Sequence, residues 1–133
     1  MGDTGELNQA DEKLLSRMQD HTIVGCKKLK VQGDIVGKMV ELAPRELQPD
    51  DAIDWALQYL EEMKPNDVIE CMMMQQLLAI NQMSLECSRR SLLSGQTPKD
   101  RDIDLQHAIR LMNAFSTMSM ALDKRRELKG VLK

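Results

Sequence analysis

The chain has 133 residues, 42% apolar and 29% charged, which suits a single folded domain and argues against wholesale disorder. A net charge of −3 gives no whole-chain argument for nucleic acid or an anionic membrane. Eleven methionines stand against three aromatics, Trp55, Tyr59 and Phe115. That balance favours helices over sheet, because unbranched side chains lose little rotamer freedom in a helix.

The first eight residues read as a polar tail, and the acidic start Met1–Glu6 has no apolar signal core. No run approaches about 18 apolar residues. No membrane partner is therefore expected, and the cytoplasm is the default location. Cys26, Cys71 and Cys87 are odd in number, which fits small buried residues in a reducing compartment better than a disulfide framework. Ala10 to about Met18 carries a moderate helix signal, with Leu14, Leu15 and Met18 on one face.

Thr22 to Val40 is ambiguous. Thr22, Ile23, Val24 and Val31 are β-branched, and Gly25, Gly33 and Gly37 weaken a helix, yet Ile35, Val36, Met39 and Val40 keep a three-to-four spacing. The expectation is a weakly helical or flexible region over 1–48, with a short hairpin as the alternative over 22–40. Pro44 and Pro49 punctuate a linker. A helix should then occupy about 49–63, with Pro49, Asp50 and Asp51 suited to its first turn and Pro65 beyond its end. Its apolar stripe is Ile53, Ala56, Leu57 and Leu60, with Trp55 and Tyr59 beside it.

Asn66 offers an N-cap for a helix over about 66–94, with Asp67 and Glu70 in its first turn. One face reads Ile69, Met73, Gln76, Ile80, Met83 and Cys87 in alternating four- and three-residue steps, the coiled-coil rhythm. Gly95 is a natural stop, and Thr97-Pro98-Lys99-Asp100 a restart. The last helix, about 98–129, carries Ala108, Leu111, Phe115, Met118, Leu122 and Arg125 on one face and is closed by Gly130. A loop of about four residues makes the two long helices antiparallel neighbours. The fold expected is all-α: a long antiparallel helical hairpin with additional N-terminal helices, bundle-like, within a helical domain over 49–133.

Met74-Gln75-Gln76, the run Ile80 to Arg90, Gln96-Thr97, Arg101-Asp102 and the run Ala108 to Phe115 leading to Ala121-Leu122-Asp123 carry a resemblance. From Met72 to Gly130 the chain resembles a family of small bacterial proteins of unknown activity, some of them associated with phage-like or other mobile regions. The resemblance implies a helical fold and is nearly silent on activity. Members continue into a tail with a His-Val-His element. This sequence stops at Lys133 without one, so no role of that tail carries over.

Candidate chemistry is thin. Cys71 or Cys87 with His107 could make a reactive thiolate, but no orienting group or oxyanion element accompanies them. A di-metal helical site needs repeated Glu-x-x-His, and only Asp104-x-x-His107 and Glu86 are present. His21 and Cys26 have no matching second pair. No Gly-rich phosphate loop occurs. No catalytic, cofactor or metal residue is assigned, and an enzyme is not expected.

Basic residues cluster at Lys27, Lys28 and Lys30, at Arg89 and Arg90, and at Lys124, Arg125 and Arg126. Ordinary solvated charge accounts for these, and nucleic acid stays open as the lesser alternative. Asp100-Arg101-Asp102 could clasp Arg89 and Arg90 across the hairpin, and Gln76 and Asn113 either fix register or border solvent.

The candidate interaction face is Ile69, Met73, Gln76, Ile80 and Met83 with Leu111, Phe115, Met118 and Leu122. The apolar width of the two helices exceeds what one partner helix covers. A second copy, another protein or the residues before Pro65 must cover the rest. The function expected is that of a self-associating interaction or assembly protein. A phage-type DNA-binding or packaging accessory is the alternative.

Overall fold

The computed structural model describes residues 29–131. The expected N-terminal tail and the Ala10–Met18 helix lie outside the described residues, as do His21, Cys26, Lys27 and Lys28. Among the described residues the protein is all-α, with four helices and no strand: α1 (Leu29–Glu41), α2 (Pro49–Met63), α3 (Val68–Ser91) and α4 (Pro98–Val131). The chain forms two compact units whose boundary falls within α3, between Met72 and Met73.

In the first unit α1 packs on α2. From Leu29 on, the ambiguous stretch is one uninterrupted helix with Gly33 and Gly37 inside it, neither a broken region nor a hairpin. Ile35, Val36 and Met39 are buried on α1, and Ala52, Ala56, Leu57 and Leu60 on α2. Burial of an Ile, Val or Met side chain contributes about 1.5–3 kcal/mol, whereas an interior glycine costs about 1 kcal/mol relative to alanine. Packing therefore decides against local propensity. A Cβ at Gly37 would meet nothing within 4 Å, so no close approach requires that glycine.

α1 closes with short i→i+3 bonds, from Leu42 N–H to the Met39 carbonyl and from Ala43 N–H to that of Val40. A turn over Pro44–Leu47 leads into α2. Gln48 is its N-cap residue and makes no side-chain cap bond; Pro49, Asp50 and Asp51 supply the start signal. The Trp55 and Tyr59 rings sit 4.7 Å apart, tilted by 52°. Pro65 was the expected stop, but the reversal itself occurs at Lys64. With φ 50° it adopts the left-handed conformation and donates its N–H to the Leu60 carbonyl.

The cap of α3 falls one residue later than expected. Asp67 Oδ1 accepts the Glu70 N–H at 2.9 Å. The Glu70 carboxylate reaches back to the Asn66 N–H at 2.8 Å and the Asn66 side-chain amide at 3.4 Å. This reciprocal arrangement is a capping box shifted by one position. It also explains how Glu70 can be fully buried: its two oxygens accept from the backbone N–H and the side-chain amide of Asn66, at the positive pole of the helix.

The second unit contains the hairpin. α3 stops at Ser91, and residues 92–97 form the connection, longer than the four residues expected. Leu92 and Leu93 N–H groups bond the Arg89 and Arg90 carbonyls. Gly95 then turns the chain at φ 87°, where a Cβ is strained. Thr97 restarts it: its hydroxyl accepts the Asp100 N–H at 3.1 Å, and its carbonyl accepts the Arg101 N–H. Gln96 Nε2 donates to Asp104 at 3.1 Å, tying the connection to the first turns of α4. α4 continues past Lys129 through Gly130, so that glycine does not end it.

On α4 the buried or half-buried line is Asp104, Ala108, Leu111, Met118, Leu122, Arg125 and Lys129, close to the expected face. α3 is turned differently. Its buried positions are Glu70, Cys71, Met74 and Leu78, then Ser84 and Ser91, not the Ile69–Cys87 line. Ser84, Ser88 and Ser91 each donate their hydroxyl to a carbonyl three or four residues back, so the two buried serines hide no unsatisfied donor.

Three substitutions test this account by urea denaturation. Gly37→Ala should raise stability by about 0.5–1 kcal/mol. Thr97→Ala should lower it by about 1 kcal/mol, and Gly95→Ala by about 1–2 kcal/mol. Equal stability for Thr97→Ala and the parent chain would contradict the restart signal.

Candidate interaction surface

The hairpin uses part of the expected interaction face and leaves another part open. Leu122 is only 8% exposed, so it belongs to the seam and cannot lie on an outward docking face. Leu111 and Met118 are half-buried on the same line, and Phe115 sits at its edge. On α3, Met73 and Ile80 are half-buried, while Ile69, Gln76 and Met83 are exposed. Period alone shows which residues share a face. It does not show whether that face looks inward. Gln76 and Asn113 are both exposed and border solvent.

A different line faces outward on α4. Leu105 is 43% exposed, Ile109 57%, Met112 49% and Met120 72%. These positions, with Ser116 between the last two, lie beside the seam on the same helix. None of these four residues belongs to the face expected from the sequence. The signal that could have separated them is the heptad itself, since Ala108–Leu122 already fills the seam positions.

Near the far end of α4, Met73, Ala121, Lys124, Arg125, Leu128 and Lys129 line an open, mainly apolar cleft with a basic rim. It brings the start of the hairpin's first arm beside the end of its second, as antiparallel helices require.

The basic clusters are not equivalent. Lys30 is exposed on α1. Arg89 and Arg90 do not clasp Asp100 or Asp102. Both turn to Glu86 on their own helix: Arg89 Nε and Nη2 bind its two oxygens at 2.9 and 2.8 Å, and Arg90 Nε binds at 3.2 Å. Such i,i+3 and i,i+4 neighbours meet without ordering a loop, so the local pair wins over the cross-hairpin one. Arg101 is exposed and forms no ion pair among the described residues, and Asp102 accepts from Gln106 instead. Lys124 is exposed; Arg125 and Arg126 are half-buried.

Hydrogen bonding from Arg89 is the largest influence on the Glu86 carboxyl, opposed by desolvation and helped by the charges of Arg89 and Arg90. It is held down at about 2.

Chemical groups are sparse. Cys71 is buried, Cys87 is half-buried and His107 is exposed; no hydrogen bond joins Cys87 to His107. Among the described residues no group of three or more His, Cys, Asp or Glu could hold a metal ion, and no helix is long and apolar enough to cross a membrane. No protein-family model, curated protein or solved structure matches the chain.

The Glu86 cluster generates a pH prediction. Because its folded-state pKa is lowered, its contribution is complete above the ordinary value of 4.5 and is lost as pH falls through about 2. A carboxyl-carbon NMR titration should place Glu86 near the lower value, and Arg89→Ala should move it back toward the ordinary one. An unmoved titration in that variant would remove Arg89 as the cause.

Proposed function

We propose that this protein is a non-enzymatic helical interaction or assembly protein that acts by associating with itself. The observation that carries this reading is the outward line Leu105, Ile109, Met112 and Met120 on α4, which the hairpin leaves uncovered. Contiguous apolar surface of this kind marks interaction sites in water-exposed proteins. Methionine at two of the four positions suits an adaptable contact surface. The mobile-element association implied by the resemblance over Met72–Gly130 belongs to the same proposal, as does a cytoplasmic location.

Sedimentation velocity over a dilution series tests it. Association should strengthen with concentration, and Ile109→Glu should weaken it on the order of 10-fold or more with unchanged helical circular dichroism, since truncating or charging a central apolar contact costs over about 1 kcal/mol. Unchanged association in that variant would rule out this face.

The DNA-binding reading rests on Lys124, Arg125, Arg126 and Lys129 near the end of α4. Interleaved Asp123 and Glu127 reduce that charge, and Glu86 already engages Arg89 and Arg90. Retention on duplex DNA that falls steeply with salt would favour this reading over the first.

A further inference from the structure

The outward line of α4 carries its own charge pattern, which bears on what covers it. At 3.6 residues per turn, Arg101, Leu105, Ile109, Met112 and Asp123 fall on one side of the helix, within a sector about 80° wide. Arg101 and Asp123 are each eleven residues from Met112 (112 − 101 and 123 − 112), or roughly 16 Å along the axis. Both are exposed, and neither forms an ion pair among the described residues.

Resting on the self-association reading, we infer that a second copy of this chain docks on this face antiparallel to the first, about a two-fold axis beside Met112, with Arg101 of each copy opposite Asp123 of the other.

Antiparallel pairing sets each edge of an apolar stripe against the same edge of its partner. Arg101 and Asp123 fall on one side of the stripe's midline, Asp102 and Lys124 on the other. Both edges then match opposite charges at both ends of the interface. The apolar positions also match, since Leu105 and Met120 lie equally far from the point between Met112 and Asn113. A parallel pair would place Lys124 beside its own copy. The antiparallel pair instead brings it toward the end that carries Asp102. Like charges opposed at an interface are unfavourable, and complementary ones set its register.

Charge reversal tests the arrangement by sedimentation equilibrium of the full chain at low salt. Arg101→Asp and Asp123→Arg should each weaken the dimer on the order of 10-fold, because two ion pairs become two repulsions. The double variant, and an equimolar mixture of the two single variants, should recover the parent affinity. Circular dichroism should not change, since both residues are exposed. Single reversals that leave the homodimers unchanged, with an equimolar mixture that binds more tightly than the parent, would overturn the antiparallel arrangement in favour of a parallel one, in which each residue faces its own copy. Dimers indifferent to all the reversals would overturn the proposed register while leaving self-association standing. A chain that stays monomeric at millimolar concentration would overturn both.

Discussion

The reversal between Ser91 and Pro98 is the constraint on which the second unit depends. Without it, α3 and α4 would be two long helices each short of a partner, and most helical stability in water comes from packing an amphipathic face. The reversal has three separable parts. α3 exhausts its hydrogen bonds in a tightened last turn, Gly95 takes a backbone angle that strains other residues, and Thr97 accepts N–H groups of the first turn of α4, where Pro98 leaves one fewer to satisfy. The bond from Gln96 to Asp104 ties the connection to the new helix. Each part is local, so the reversal is specified before any long-range contact forms.

Once the arms run antiparallel, α4 has more apolar surface than the seam uses. Ala108, Leu111, Met118 and Leu122 occupy the seam line, and Leu105, Ile109, Met112 and Met120 lie beside it in solvent. A helix with apolar residues on two sides is suited to two partners. The first is the other arm of its own hairpin; the second, on the self-association we propose, is another copy of the chain. The charges fit this division. Glu86 holds Arg89 and Arg90 on α3, whereas Arg101 and Asp123 on α4 remain available.

Much of the helical layout was legible from residue types alone. Pro49 with two aspartates placed the start of α2, and Thr97-Pro98 placed the start of α4, because these signals act through the backbone of one turn. α1 was less legible. Gly33, Gly37 and Val31 speak against a helix locally, and only the burial of Ile35, Val36 and Met39 explains why one forms. The cap of α3 was read one residue early, since Asn66 and Asp67 are both competent and only the position of Glu70 selects between them. The expected clasp of Asp100 and Asp102 on the Arg89–Arg90 pair failed because Glu86, one turn away on the same helix, meets both arginines at less entropic cost.

The sequence by itself determined the helical class, the stop and restart around Gly95 and Thr97, and the seam line of α4, since each follows from backbone sterics, capping or a seven-residue period. Tertiary structure alone decided which line of α3 turns inward and which apolar residues of α4 stay outside. A helix with several apolar lines offers nearly equivalent rotations about its axis. Only the surface against which it packs chooses among them. The buried positions Met74, Leu78, Ser84 and Ser91 record that choice.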